Sequence, residues 1–295
     1  MMLMKRIAPA GAALMLAAAA IHAAAEAETP FFSGADLFTG RDLAQEADLS
    51  EAVCETLADG QDIHISEAGI YVLTGMAENV TVYVETEKDS KVQIVLDSVT
   101  VTNTDSPVIY GKTADKIFIT TRADSSLSVT GAFVPDGDEK ADGIIYSKED
   151  LVLNGTAALT LSSPKHGIVS KDDLKITGGN YQITAASRAL DANDSIRIAG
   201  GTLNLTAGGD GLRAENEKND AKGYIYIGGG ILIIQAGDEG IQASSVVQID
   251  DGTLTIQAKE GIRGSSVQLN GGTVTVNGQL ISPRTSDGGR EGGNP

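Results

Sequence analysis

Tryptophan is absent from this chain, and only 4% of its residues are aromatic. A broad indole platform is excluded, and the core must be built from Ile, Val, Leu and Ala. Cysteine occurs once, as Cys54. No intramolecular disulfide can form, so the fold depends on its core, and the lone thiol reads as a small buried apolar side chain. Basic residues are scarce: 22 Lys and Arg stand against 40 Asp and Glu, for a net charge of −18. That balance argues against nucleic acid and anionic membranes as partners, and it suits divalent cations. The histidines are His22, His64 and His166, too few and too scattered to support a His-based triad. No nucleophile elbow, phosphate loop, zinc spacing or dinucleotide fingerprint is present, and no catalytic residue is assigned.

What is present begins with a leader. Met1 to Arg6 is basic, Ile7 to Ile21 is apolar, and His22-Ala23-Ala24-Ala25 ends in small residues. This pattern predicts a signal peptide over 1–25, cleaved near Ala25, and a secreted or cell-surface protein. The apolar run is short of a membrane span and has no cysteine for lipid attachment.

Beyond it, a pattern returns about every 22 residues: Leu151-Val152-Leu153, Leu174-Lys175-Ile176, Ile196-Arg197-Ile198, Ile225-Tyr226-Ile227, Val247-Gln248-Ile249 and Val267-Gln268-Leu269. Each copy runs into a glycine turn. A second strand follows, with inward pairs from Leu159/Leu161 to Val274/Val276. A third strand carries one bulky inward residue, in turn Ile145, Ile168, Leu190, Leu212, Ile241 and Ile262. Alternation with period two puts each column on one face. Stacked short strands joined by glycine turns are a β-solenoid. The expected fold is all-β: a right-handed parallel β-helix of about eight to ten coils, with three short strands each. Its domain spans 63–281, with a polar segment, 26–62, expected to cap the N-terminal edge. A Gly-rich tail, 282–295, is expected to be disordered.

Two insertions interrupt the repeat, Val134–Asp142 and Glu215–Gly223. Insertions in a solenoid project from one edge and often build the site. After each third strand comes a polar corner, and stacking aligns Glu149, Asp172, Asp194 and Asn216, with Asp150 and Asp173 beside them. Carboxylates stacked ~4.8 Å apart repel unless something compensates. The corner is therefore expected to hold Ca²⁺ through these residues, with Asp191, Asp210 and Glu215 as further ligands. The competing reading makes them turn residues that bond the backbone. His166, Lys171, Arg188, Arg213 and Arg263 line the same side and could meet the carboxylates of an acidic sugar.

Ile63-His64-Ile65-Ser66-Glu67-Ala68-Gly69-Ile70-Tyr71-Val72-Leu73-Thr74-Gly75, Ser170-Lys171-Asp172-Asp173-Leu174-Lys175-Ile176-Thr177-Gly178-Gly179 and Gly209-Asp210-Gly211-Leu212 carry a family resemblance. The chain resembles the secreted bacterial carbohydrate-binding domain family typified by a clostridial cellulose- and pectin-binding β-helix protein, from about residue 36 to 280. The resemblance implies a parallel β-helix similar to calcium-dependent polysaccharide lyases, with Ca²⁺ bound and affinity for plant-type polysaccharides. Two departures weigh against a complete catalytic calcium site: Arg213 follows Asp210-Gly211-Leu212, and His166-Gly167 and Arg188-Ala189 replace the usual Asp-Gly pair. The leading expectation is an exported, calcium-binding, non-catalytic protein for acidic or plant cell-wall glycans such as polygalacturonate. The alternatives are a calcium-dependent lyase, with Lys171, Arg188 or Arg213 as base, and a surface adhesin or spacer without glycan affinity.

Overall fold

The computed structural model describes residues 31–282. The expected leader and all but the first residue of the expected tail lie outside the described residues. Apart from a 3-10 turn, Gly34–Asp36, and a helix of one turn, Gly40–Leu43, the regular structure is strand. No helix among the described residues is long and apolar enough to cross a membrane.

The strands stack as three faces of a parallel solenoid of about nine turns. Face C is one nine-stranded sheet, from Ile63–Ile65 through Val82–Glu85, Ile109–Thr113, Gly143–Ser147, His166–Ser170, Leu190–Ala192, Leu212–Ala214 and Glu239–Ala243 to Glu260–Arg263. Faces A and B share the other sheet because several strands, among them Lys91–Asn103, Tyr224–Ala236 and Val246–Gln257, run on around the corner between them.

The inward columns follow the sequence pattern residue by residue. On face A, Leu151, Leu174, Ile196, Ile225, Val247 and Val267 are successive partners. On face B the series is Leu159, Tyr181, Leu203, Leu232, Leu254 and Val274. On face C it is Ile145, Ile168, Leu190, Leu212, Ile241 and Ile262. Nearly all of these side chains are sealed from solvent in one continuous core. Truncating one to Ala removes contacts with the coils above and below, a loss of roughly 2–5 kcal/mol.

Glycine makes the corner between faces A and B. Gly179, Gly201, Gly230 and Gly252 stack with φ of 90°, 100°, 96° and 113°. A Cβ on Gly201 would also sit 3.0 Å from the Gly179 carbonyl oxygen. Both the left-handed φ and the close stacking require the missing side chain.

The ends differ from expectation. The segment expected to cap the N-terminal edge divides in two. Val53–Thr56 does extend the stack, pairing in parallel with Tyr71–Thr74. Its Cys54 is exposed rather than buried, because it lies in this terminal strand. Residues 31–48 instead run along the flank of face A as a strap. Phe32 exchanges two 3.0 Å hydrogen bonds with the Gln248 amide and stacks on Tyr224 at 4.3 Å. The Arg41 guanidinium lies 4.5 Å over Phe118, and Gln45 bonds the Gly155 N–H and the Thr177 carbonyl. The physical reason is the outward column of face A. It carries Lys175, Arg197, Tyr226 and Gln248, whose polar ends need partners that solvent would otherwise supply. At the other end, Thr273–Val276 turns through Asn277-Gly278, both at positive φ, and pairs antiparallel with Gln279–Ile281, which covers the last edge.

Candidate functional site

Face C has an outward column that changes character halfway. In register it reads His64, Tyr83, Tyr110, Tyr146, Val169, Asp191, Arg213, Gln242 and Arg263. The first half is an aromatic ladder with centroids 5.0, 5.8 and 5.5 Å apart. Lys112 lies 4.9 and 5.1 Å from the centroids of the Tyr83 and Tyr110 rings, and Lys171 5.8 Å from that of Tyr146. The insertion Val134–Asp142 folds over this half. Its Ala141 packs on Tyr110, Tyr146 and Val169, and Glu139 accepts a hydrogen bond from the Tyr146 hydroxyl. Tyr146 is fully buried as a result, and burial raises its pKa well above that of a free tyrosine. Sequence reasoning missed this ladder. The signal was there: His64, Tyr83, Tyr110 and Tyr146 each follow an inward aliphatic residue, Ile63, Val82, Ile109 and Ile145.

The second half is charged and partly open: Arg263 is exposed, while Asp191, Arg213 and Gln242 are half-buried. Arg188 bridges two carboxylates, Asp191 at 3.2 Å and Asp210 at 3.4 Å. Arg213 lies 4.0 Å from Asp210 and pairs with Glu215 from the second insertion. Arg263 reaches Glu239 at 2.6 Å. Burial and the nearby Asp210 raise the Glu239 pKa, and burial with Arg188 lowers that of Arg213. Four of the five expected basic residues, Lys171, Arg188, Arg213 and Arg263, retain exposed surface on this side. His166 is the exception and corrects that set. It is 5% exposed, burial lowers its pKa, and its Nδ1 accepts the Arg188 N–H at 3.3 Å. A neutral, enclosed imidazole fastens neighbouring coils and offers no charge to a ligand.

The corner residues do align. Asp194 lies above Asp172, and the Asn216 amide donates to Asp194 at 2.9 Å. Most of this charge is offset within the chain. Asp173 takes Arg197 at 2.6 Å and the Ser195 hydroxyl, Asp150 lies 3.6 Å from Lys116, and Lys222 of the second insertion pairs with Asp194. Burial raises the pKa of Glu149 and of Asp150. Asp172 differs from the rest. Burial, then a hydrogen bond and repulsion from Asp194, push its pKa to about 7. Burial opposes ionisation of Asp194 too, but its bonds with Asp172, Lys222 and Asn216 outweigh that and lower its pKa. Carboxylates are the oxygen donors a hard cation needs. Yet among the described residues no three of His, Cys, Asp or Glu are gathered so as to hold a metal, so the corner as it stands is not a complete calcium cage.

A third charged cluster lies beneath the strap. Asp42 is fully buried, 2.9 Å from Lys175 and 3.5 Å from Lys116. Burial alone would raise its pKa; the Thr39 N–H and the two lysines bring it below the usual carboxylate value. One Asp42 oxygen (Oδ1) lacks a hydrogen bond, and so does the Asn154 amide nitrogen beneath the strap.

Comparison with known proteins places this architecture. A family described as carbohydrate-binding domain-containing protein matches residues 59–289. A protein of Acetivibrio thermocellus with that name is 33% identical over 130 residues, 42% of this chain and 46% of the relative, so the match spans about half its length. The solved structure of a polysaccharide lyase-like protein from C. thermocellum, a gadolinium derivative, is similar with a TM-score of 0.64 and 30% identity, over 77% of this chain and 94% of that one. With the family match covering most of its length, the chain belongs to the carbohydrate-binding domain-containing protein family.

Proposed function

We propose that the chain binds polysaccharide along the open half of face C, without chemistry of its own, and that it favours acidic glycans. One observation carries this reading: Asp191, Arg213, Gln242 and Arg263 repeat once per coil in strict register, with Arg188 beside them. The coil spacing of ~4.8 Å is close to the advance of one sugar residue in an extended glycan. A repeating ligand thus meets a repeating surface. Guanidinium forks match carboxylate geometry, and amides suit hydroxyls.

Calcium belongs to the proposal in a limited form. The face and the corner carry more carboxylates than cations, and Asp172 is the least compensated. A cation shared between these oxygens and a uronate would lower the repulsion that an acidic glycan meets. Export to the medium or cell surface follows from the leader and completes the reading. A glycan array on the full chain, with and without Ca²⁺, tests it. Signal on uronate polymers that strengthens with Ca²⁺ is expected. A blank array sinks the proposal and leaves an adhesin or spacer.

A lyase reading is favoured by one observation: Arg188 and Arg213 converge on one carboxylate, Asp210, at 3.4 and 4.0 Å, since like charges held together disfavour the second proton and a general base must release one. Ultraviolet absorbance with polygalacturonate and Ca²⁺ at alkaline pH separates the two. The binding reading predicts no unsaturated product.

A further inference from the structure

An open cleft of about 460 Å³ lies at the turn from face B into face C, between the segment Thr130–Asp142 that contains the first insertion and the Pro164-Lys165 turn before His166–Ser170. Phe133, Pro135 and Pro164 give it apolar walls, and Lys140, Lys165 and Asp142 supply its charge. We propose that this cleft is a separate binding site for a single carboxylated sugar residue, such as the end of a uronate chain whose body lies on face C. The inference rests on the proposed binding along that face for its direction, and on the cleft for its chemistry.

Three features support it. The volume falls in the range of small-ligand pockets and suits one or two sugar rings. Two ammonium groups, Lys140 and Lys165, and one carboxylate, Asp142, line the cleft, on an insertion that also carries Asp136, Asp138 and Glu139. The commitments of the lysines also differ. Lys165 is held 2.5 Å from Asp142, while Lys140 is exposed on the insertion. Phe133 is half-buried against the core, which fixes its ring in the wall. A fixed ring against the apolar side of a pyranose, with an ammonium near its carboxylate, is a complete minimal set for a uronate. The position explains why the insertion is built as it is. One side covers the aromatic ladder through Ala141, and the other forms the wall of the cleft.

Calorimetry on the full chain tests the assignment, with galacturonic acid and its trimer against galactose and its trimer. Lys140→Ala, Phe133→Ala and Arg213→Ala are compared with the unaltered protein, and circular dichroism checks the fold. The unaltered chain should bind the acidic monomer and trimer in preference to the neutral ones. Lys140→Ala should weaken the acidic ligands by about tenfold and leave the neutral ones unchanged. Phe133→Ala should weaken both classes. Lys140 is exposed, so its removal leaves the fold intact even if Phe133→Ala does not fold. Monomer affinity unchanged in Lys140→Ala overturns the cleft. Should Arg213→Ala alone lose the trimer, the cleft fails and the face survives. Should the cleft variants lose both acidic ligands while Arg213→Ala keeps them, the face fails and the cleft survives. If the unaltered chain binds no acidic ligand, both are overturned.

Discussion

Faces A and C carry the same kind of outward column on the same scaffold, yet one is sealed by the strap and the other keeps its charged half partly exposed. On face A, Lys175 is 5% exposed, because the strap lays Asp42 across it. On face C, Arg188 and Arg263 reach a carboxylate of the neighbouring coil, Asp210 and Glu239, Arg213 pairs with Glu215 of its own coil, and all three side chains keep part of their surface exposed. The comparison separates two uses of charge. Buried, the ion pair costs desolvation and fastens one segment in one place. On face C the pairs grade from half-buried at Arg188 and Arg213 to exposed at Arg263, so each is worth less to stability than the sealed pair and the exposed end is the readiest to exchange with a ligand.

The largest expected effect tests the sealed side. Lys175→Ala leaves Asp42 buried with only the more distant Lys116, and should cost roughly 3–5 kcal/mol in denaturant unfolding. Glycan affinity should not change. A folded Lys175→Ala variant that fails to bind glycan would break the contrast between the faces.

The second effect concerns the open side. Arg213→Ala should cost about 1.5–3 kcal/mol of stability, less than Lys175→Ala, and weaken polygalacturonate binding by about tenfold. Equilibrium dialysis with labelled polymer, beside a melt of the same sample, checks both. A large stability loss with unchanged binding would make face C structural.

A third test uses pH at the corner between them. The folded Asp172 pKa, about 7, lies above the ordinary carboxylate value of 3.8. The native state therefore holds a proton that the unfolded chain has already lost. This contribution lowers stability as pH rises from about 4 to about 7. Asp172→Asn should flatten that slope and raise Tm at pH 8. Asp194 works in the opposite direction: its pKa is lowered, so its contribution is lost as acid protonates it. Thermal melts from pH 4 to 8 show whether the slope follows Asp172.

The smallest effect is at the covered half of face C. Tyr146→Phe removes the hydroxyl that donates to Glu139 and should cost about 1 kcal/mol. Hydrogen exchange over 134–142 should quicken, while exchange in the coils stays the same.

The core was legible in the sequence because period-two alternation and a fixed coil length leave one register. Leu151 must meet Leu174, and Leu212 must meet Ile241, or the aliphatic columns break. The corner was legible for the same reason, down to Asn216 above Asp194. Other features were not, because they depend on segments outside the repeat. Nothing local in Thr39-Gly40-Arg41-Asp42 says that it will lie on Lys175, more than 130 positions away. Repeat spacing aligned the corner acids but did not reveal which cations would offset them, since Lys222 arrives on an insertion. His166 looked like a surface base until its coil neighbours enclosed it. The tyrosine ladder lies in the less regular early coils, where the spacing between Tyr83, Tyr110 and Tyr146 departs from the 22-residue period.

The most direct test of the central claim is calorimetric titration of polygalacturonate into the unaltered chain and into an Arg188→Ala, Arg213→Ala double variant, both with Ca²⁺. The account predicts binding by the unaltered chain and a loss of at least about tenfold in the double variant, with the fold intact by circular dichroism. Equal affinity in the two proteins would contradict it and remove face C as the binding surface.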